Sequence, residues 1–166
     1  MRNISFHYMS THDCDIILPQ LFGILYSNMS VIASTNNSYE DELRNWISCI
    51  VPALQNDLRK TVLIYCDSEL IGFFRYYLYN NFRSLLIEEI QIKSEYQGMG
   101  IFSRFCRWLV NELPHNVLVV EAFVNKHNYN SIAVWEHLGL RCVGENKNGI
   151  SFHYQGDYSF LVDKYS

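Results

Sequence analysis

The chain has 166 residues, of which 49% are apolar, and a formal charge of −4 from 13 Lys and Arg against 17 Asp and Glu. That length and apolar fraction suit one domain, residues 1–166, around a continuous core; the acidic balance argues against a nucleic-acid partner, which needs clustered positive charge. Five scattered cysteines (Cys14, Cys49, Cys66, Cys106 and Cys142) include no C-x-x-C pair and read as free thiols, and no signal peptide or roughly 18-residue apolar span is visible, so the expectation is a cytoplasmic protein with no membrane partner.

In chain order, Ile4 to Tyr8 alternates like a first strand. Ser10 and Asp13 have capping-box spacing, and Ile16, Ile17, Leu21, Ile24 and Leu25 give a helical stripe that Pro19 should limit or place in its first turn. Leu43, Trp46, Ile47, Ile50 and Leu54 form a second stripe, with Pro52 as its bend or stop. Thr61–Cys66, Leu70–Tyr79 and Ser84–Ile92, separated by short polar turns, predict an antiparallel meander. A helical pattern then runs to Glu112, with Ile101, Phe105, Trp108 and Leu109 on its apolar face. Val117–Val120 continues through Phe123 as a fully buried strand. Ile132, Val134, Trp135 and Leu138 mark a short helix that Gly139 can terminate. Leu140–Val143, Ile150–Tyr154 and the tail Tyr158–Val162 read as late strands. This order is a mixed α/β domain, with too few alternating βα units for a doubly wound nucleotide fold.

The informative segment is Gln97-Gly98-Met99-Gly100, between an apolar strand and a helix. Glycine lets the backbone turn tightly and approach a ligand. The first helical turn offers N–H groups without intrahelical partners at the positive end of the dipole, where an anion such as a phosphate is stabilised. The full G-x-G-x-x-G is absent because Ser103 holds the last position, and there is no G-K-[ST] of a P-loop.

On these residues the chain resembles the GNAT superfamily of acetyl-coenzyme A-dependent N-acetyltransferases. The family motif Q/R-x-x-G-x-G/A corresponds to Gln97 through Phe102: Gln97 and Gly100 match, and Phe102 stands where Gly or Ala is expected. A second family pattern (Asn, Ala, Tyr, then Gly-Phe) corresponds to Asn128, Ser131, Trp135, Gly139 and Leu140. The element order agrees along nearly the whole chain. The resemblance implies a predominantly antiparallel sheet of six or seven strands with a splayed parallel pair, flanked by about four helices. It implies acetyl-CoA as the cofactor. The amides of Gln97, Gly98, Met99, Gly100, Ile101 and Phe102 would hold the pyrophosphate. Backbone at Ile90, Gln91 and Ile92, on one side of a splay whose other side is Val119–Phe123, would bind the pantetheine arm. Asn128, Ser131 and Trp135 would complete the cofactor site.

The implied reaction moves an acetyl group from a thioester to a primary amine. An ammonium has no free lone pair, so a base must take a proton. Glu88 and Glu89 lie inside an apolar strand with side chains facing opposite ways, and Glu89 is favoured; the other reading pairs both with Arg75, Arg83 or Lys93. The family's Tyr acid is replaced by Trp135, whose indole cannot protonate a thiolate; Tyr129 or Ser131 would orient the sulfur instead. A catalytically silent acyl-CoA-binding or regulatory domain is the alternative, motivated by Phe102 and Trp135. His127, His137 and His153 have no metal-ligand spacing, so no metal is expected, although His153 could line the acceptor cleft. The acceptor is a small-molecule or peptide amine, and the 12 tyrosines would permit a homodimer.

Overall fold

The computed structural model describes residues 3–166. Among them the elements run β1 (Ile4–Tyr8), α1 (Cys14–Met29), α2 (Tyr39–Leu54), β2 (Arg59–Cys66), β3 (Glu69–Tyr79), β4 (Ser84–Ile92), α3 (Ile101–Glu112), β5 (Val119–Asn125), α4 (Tyr129–His137), β6 (Arg141–Glu145), β7 (Ser151–Asp157) and α5 (Ser159–Tyr165). The strands form one mostly antiparallel sheet in the order β1-β2-β3-β4-β5-β7-β6, with β4 and β5 as a parallel pair. The expected mixed α/β class, strand number and meander order are all present. The chain divides into two compact units, one comprising the chain up to Arg75 with Glu89–Met99, the other Tyr76–Glu88 with Gly100–Ser166.

In the first unit, Ser10 caps a short 3-10 turn by accepting from the His12 N–H at 3.2 Å, and α1 follows directly. Pro19 neither ends this helix nor sits in its first turn: it is the sixth residue and the helix continues to Met29. Its missing N–H leaves the Asp15 carbonyl without the usual helical donor. Tertiary burial offsets that loss. Leu18, Leu21 and Phe22 are at most 3% exposed, and each such side chain contributes about 1.5–3 kcal/mol. The buried residues are Leu18, Leu21, Phe22 and Ile24, with Ile17 and Leu25 partly buried, while Ile16 of the expected stripe is 71% exposed. Ser38 caps α2 by accepting from the Asp41 N–H, and Pro52 stands in the last turn, as its stop reading required. Ile50 of α2 joins Leu18 and Leu21 of α1 and Leu63, Leu70 and Phe73 of β2 and β3 in one core, with Trp46, Ile47 and Leu54 partly buried against it.

Gly72 of β3 has a specific steric duty. A Cβ built there would lie 2.4 Å from the Gln91 carbonyl oxygen, so only glycine lets β3 and β4 approach this closely. Below that point, Lys93 Nζ and Tyr96 Oη each reach a Glu69 carboxylate oxygen at 2.7 Å, tying the segment after β4 to the start of β3.

In the second unit, β5 pairs with β4 through Ser84–Ile87 against Val119–Ala122, and with β7 along its whole length, Val119–Asn125 against Ser151–Asp157. Glu88 and Phe123, next in line on β4 and β5, are not part of the parallel register. The expected fully buried run is interrupted: Val117, Val120, Glu121 and Ala122 are covered, while Leu118, just before the strand, and Phe123 are 56% and 47% exposed. Ile101, Phe105, Cys106 and Leu109 form the buried face of α3; Trp108 is half-buried. Trp135 and Leu138 are the buried pair of α4, with Val134 exposed. Gly139 ends α4 with φ 91, the Leu140 N–H reaching the Trp135 carbonyl and the Gly139 N–H that of Glu136, both at 3.0 Å.

The tail overturns an expectation. Ser159–Tyr165 is α5, not a strand, which makes five helices rather than about four. Its N-cap Tyr158 and its own Leu161 and Tyr165 are buried, spaced by three and four. Packing of that helical stripe overrides the strand preference of an aromatic and β-branched segment.

Candidate active site

The glycine turn is built for backbone exposure. Gly98 and Gly100 have φ of 76 and 72, and a Cβ added at either would meet nothing within 4 Å, so open space adjoins both. Gly100 is the N-cap of α3 and supplies no side-chain cap. The first N–H groups of α3 thus lack both intrahelical and capping partners, which is the donor set an anion uses. The Gln97 side chain serves the turn itself: its Nε2 donates to the Ile92 carbonyl at 2.9 Å. Phe102 turns its ring to Trp135, with centroids 5.9 Å apart at 86°. Trp135 is 5% exposed, so its ring lies among buried neighbours, and Phe102 stands where it does as that indole's partner.

The end of β4 is held from α1. Asn28 Nδ2 donates to Gln91 Oε1 at 2.9 Å and to the Ile92 carbonyl at 3.0 Å. Upstream, Glu89 accepts from Arg75 at 3.3 Å, each side chain being 12% exposed. Glu88 is half-buried. At the start of α4, Asn128 Oδ1 accepts from the Ser131 N–H at 3.1 Å and caps the helix. Tyr129 follows it, 72% exposed.

One cluster was missed by sequence reasoning. Glu121 of β5 is 7% exposed, a carboxylate inside the sheet. One of its oxygens accepts from the Tyr79 hydroxyl and the other meets His153 Nε2 at 2.7 Å. Burial, then the hydrogen bond to Glu121 and its charge, push the Tyr79 phenol up to about 12. The imidazole of His153 stacks on Phe123 with centroids 4.5 Å apart at 14°. Glu121 lies 42 positions from Tyr79 and 32 from His153, and only strand register unites them.

Within the first unit, the ends of α1 and α2 enclose a cavity of about 460 Å³ whose walls include Phe22, Tyr26, Met29, Trp46 and Cys49, with Glu42 as the charged member. Hydrogen bonds, first from Thr35 and then from Asn37, hold the Glu42 carboxyl below its ordinary range. Its size falls in the range of small-molecule sites. All five cysteines are unpaired thiols, and burial pushes Cys106 up to about 12. Among the described residues no group of three His, Cys, Asp or Glu side chains comes together as a metal site, and no helix is long and apolar enough to cross a membrane.

Residues 20–140 match the model of the acetyltransferase (GNAT) family. No curated protein matches by sequence. Among solved structures, an acetyltransferase from Thermus thermophilus superposes with a TM-score of 0.73 at 19% identity, over 95% of this chain and 99% of that one. A PaiA N-acetyltransferase from Thermoplasma acidophilum, in complex with coenzyme A, gives 0.71 at 17% identity, over 94% and 99%. A spermidine N-acetyltransferase from Vibrio cholerae, in complex with CoA and spermine, gives 0.65 at 16% identity, over 96% and 98%. At these identities the superpositions establish the fold; the family match over residues 20–140 establishes membership, and the chain belongs to the GNAT acetyltransferase family.

Proposed function

We propose that residues 1–166 act as one acyl-CoA N-acyltransferase domain that moves an acetyl group from acetyl-CoA to a primary amine. The carrying observation is the glycine turn: two left-handed glycines beside open space, leading into a helix whose first amides are uncapped. These residues fit a diphosphate, which needs close backbone and unpartnered donors rather than side chains. Gln97, Gly98, Met99, Gly100, Ile101 and Phe102 would hold that group, and Ile90, Gln91 and Ile92 would offer backbone to the pantetheine arm. Asn128 and Ser131 would adjoin it at the start of α4, with Tyr129 or Ser131 orienting the sulfur and Trp135 backing Phe102. Bound acetyl-CoA supplies the acetyl group as a thioester, the same carrier whose coenzyme occupies the Thermoplasma and Vibrio structures.

The protein's own task is to bring an uncharged amine to that thioester. Glu89, with Glu88 beside it, is the proposed general base of β4, and a backbone N–H of Ile90–Ile92 is the proposed donor to the thioester carbonyl. The acceptor is a small-molecule or peptide amine. The aromatic cavity with Glu42 in its lining suits an amine with an apolar body, the rings covering the body and the carboxylate attracting the charge.

Calorimetry with acetyl-CoA, and turnover over a panel of polyamines, amino sugars and peptide amines, test this reading. Coenzyme binding that falls at least tenfold in Gly100→Val, together with acetylation of an amine, is the expected result. Absence of coenzyme binding by the wild-type protein, or binding with no acetylation of any amine, would overturn it.

A further inference from the structure

Between ammonium and amide, a nitrogen gives up two protons: one before its lone pair can attack, the other as the C–N bond is completed. The β4 carboxylates offer a place for one. Resting on the acetyltransferase reading, we propose that His153, held by Glu121 and Tyr79, takes the first proton from the incoming ammonium.

The placement comes from strand register. The parallel register of β4 with β5 stops at Ile87 and Ala122. Phe123 is the first residue of β5 beyond it, and His153 is the register partner of Phe123 on β7. His153 therefore stands in the row where the parallel pair opens. It also lies on the face away from α4, because its chain neighbour Tyr154 points the other way and donates to Glu136 of that helix at 3.0 Å.

The chemistry comes from the hydrogen bonds. An ionised carboxylate only accepts, so the Nε2 that meets Glu121 carries the ring hydrogen and Nδ1 keeps its lone pair. Tyr79 donates to the other oxygen and fixes the carboxylate, and the stacked Phe123 ring fixes the plane of the imidazole. The Glu121 side chain is 10% exposed and that of His153 24%, so the histidine is the end of the chain that solvent and substrate reach. A carboxylate behind an imidazole orients it and stabilises the charge it acquires on taking a proton. Other titratable groups face this dyad. Tyr77 stacks on Tyr79, Glu88 lies two residues beyond Leu86, the β4 partner of Glu121, and Arg141 of β6 shares a row with Gln155 and Glu121. Opposite His153, β6 presents Gly144, which has no side chain.

The step balances simply. An N–H bond of the ammonium breaks, its electron pair stays on nitrogen, and the proton moves to Nδ1 and on to solvent. The second proton leaves as the C–N bond forms and the C–S bond breaks, and it ends on the departing sulfur. Glu121 and Tyr79 are positioning residues; His153 is the catalytic one.

The test is the pH dependence of kcat/KM for the best amine acceptor in wild type, His153→Gln and Glu121→Gln, with nitrogen-15 NMR of the His153 ring. His153→Gln is expected to lose about 10²-fold near pH 7, with unchanged acetyl-CoA affinity. That deficit shrinks as pH rises toward the amine's own pKa, where free amine no longer needs a base. The NMR spectrum is expected to show hydrogen on Nε2 in the neutral ring, and loss of that preference in Glu121→Gln. Hydrogen on Nδ1 would overturn the inference whatever the activity. So would a wild-type enzyme that acetylates amines while His153→Gln loses less than threefold, or loses the same factor at every pH. A wild-type protein that binds no acetyl-CoA would instead remove the acetyltransferase reading, and this inference with it.

Discussion

Glu89 of one unit and Glu121 of the other are both sheet carboxylates, and their neighbours differ. Glu89 faces the Arg75 guanidinium; Glu121 faces a phenol and an imidazole. A guanidinium never releases its proton in a protein, so its partner gains a fixed charge. An imidazole exchanges its proton in the physiological range. The same residue type thus sits beside a fixed cation in one place and beside groups able to exchange protons in the other. The lesson is that what a carboxylate's neighbours can do with a proton, as much as its burial, sets the part it can play.

The harshest way to break the comparison is Arg75→Ala. It leaves Glu89 confined without the guanidinium, and a loss of about 3–5 kcal/mol in urea unfolding is expected. Gly72→Ala comes next. The added methyl must push β4 from β3 at Gln91, costing about 1–3 kcal/mol, while the ring signals of His153 stay where they are. Glu121→Gln keeps the shape of its cluster and removes its charge. About a tenfold fall in amine kcat/KM is expected, with coenzyme affinity intact, whereas Glu42→Gln should raise only the amine KM, by a few-fold.

The gentlest test is alkaline. Burial, and then Glu121, push the Tyr79 phenol up to about 12 in the folded protein, above the ordinary tyrosine value. Its folded state binds the phenolic proton more tightly than the unfolded chain does. The resulting stability is complete below about pH 10 and is lost as pH rises through about 12. Burial also holds Tyr154 and Tyr158 at about 12, so Tyr79→Phe should flatten only part of the alkaline slope in a Tm-against-pH series.

Local signals made much of this legible. Alternation and polar turns bounded β4 at Ser84 and Ile92, and Gly139 marked the end of α4 through a left-handed turn that other residues resist. The glycine turn could be read because φ demands leave a compositional trace. What failed was non-local. Pro19 was expected to limit a helix that burial of Leu18, Leu21 and Phe22 carries past it. Tyr158–Val162 by itself suggests a strand; the helical spacing shows only once Tyr165 joins Tyr158 and Leu161. Glu121 carried no motif; a lone acid in an apolar strand becomes informative only once β7 brings His153 beside it.

Asn28 links two places that have been described separately. It precedes Met29 and Ser30, which line the aromatic hollow, and its amide grips the last rungs of β4 just ahead of the glycines. A guest pressing on the foot of α1 would tug that amide and, through it, the strand terminus. Occupancy of the hollow and the set of the glycine loop would then share one linkage, each favouring or opposing the other by the same factor whichever is filled first.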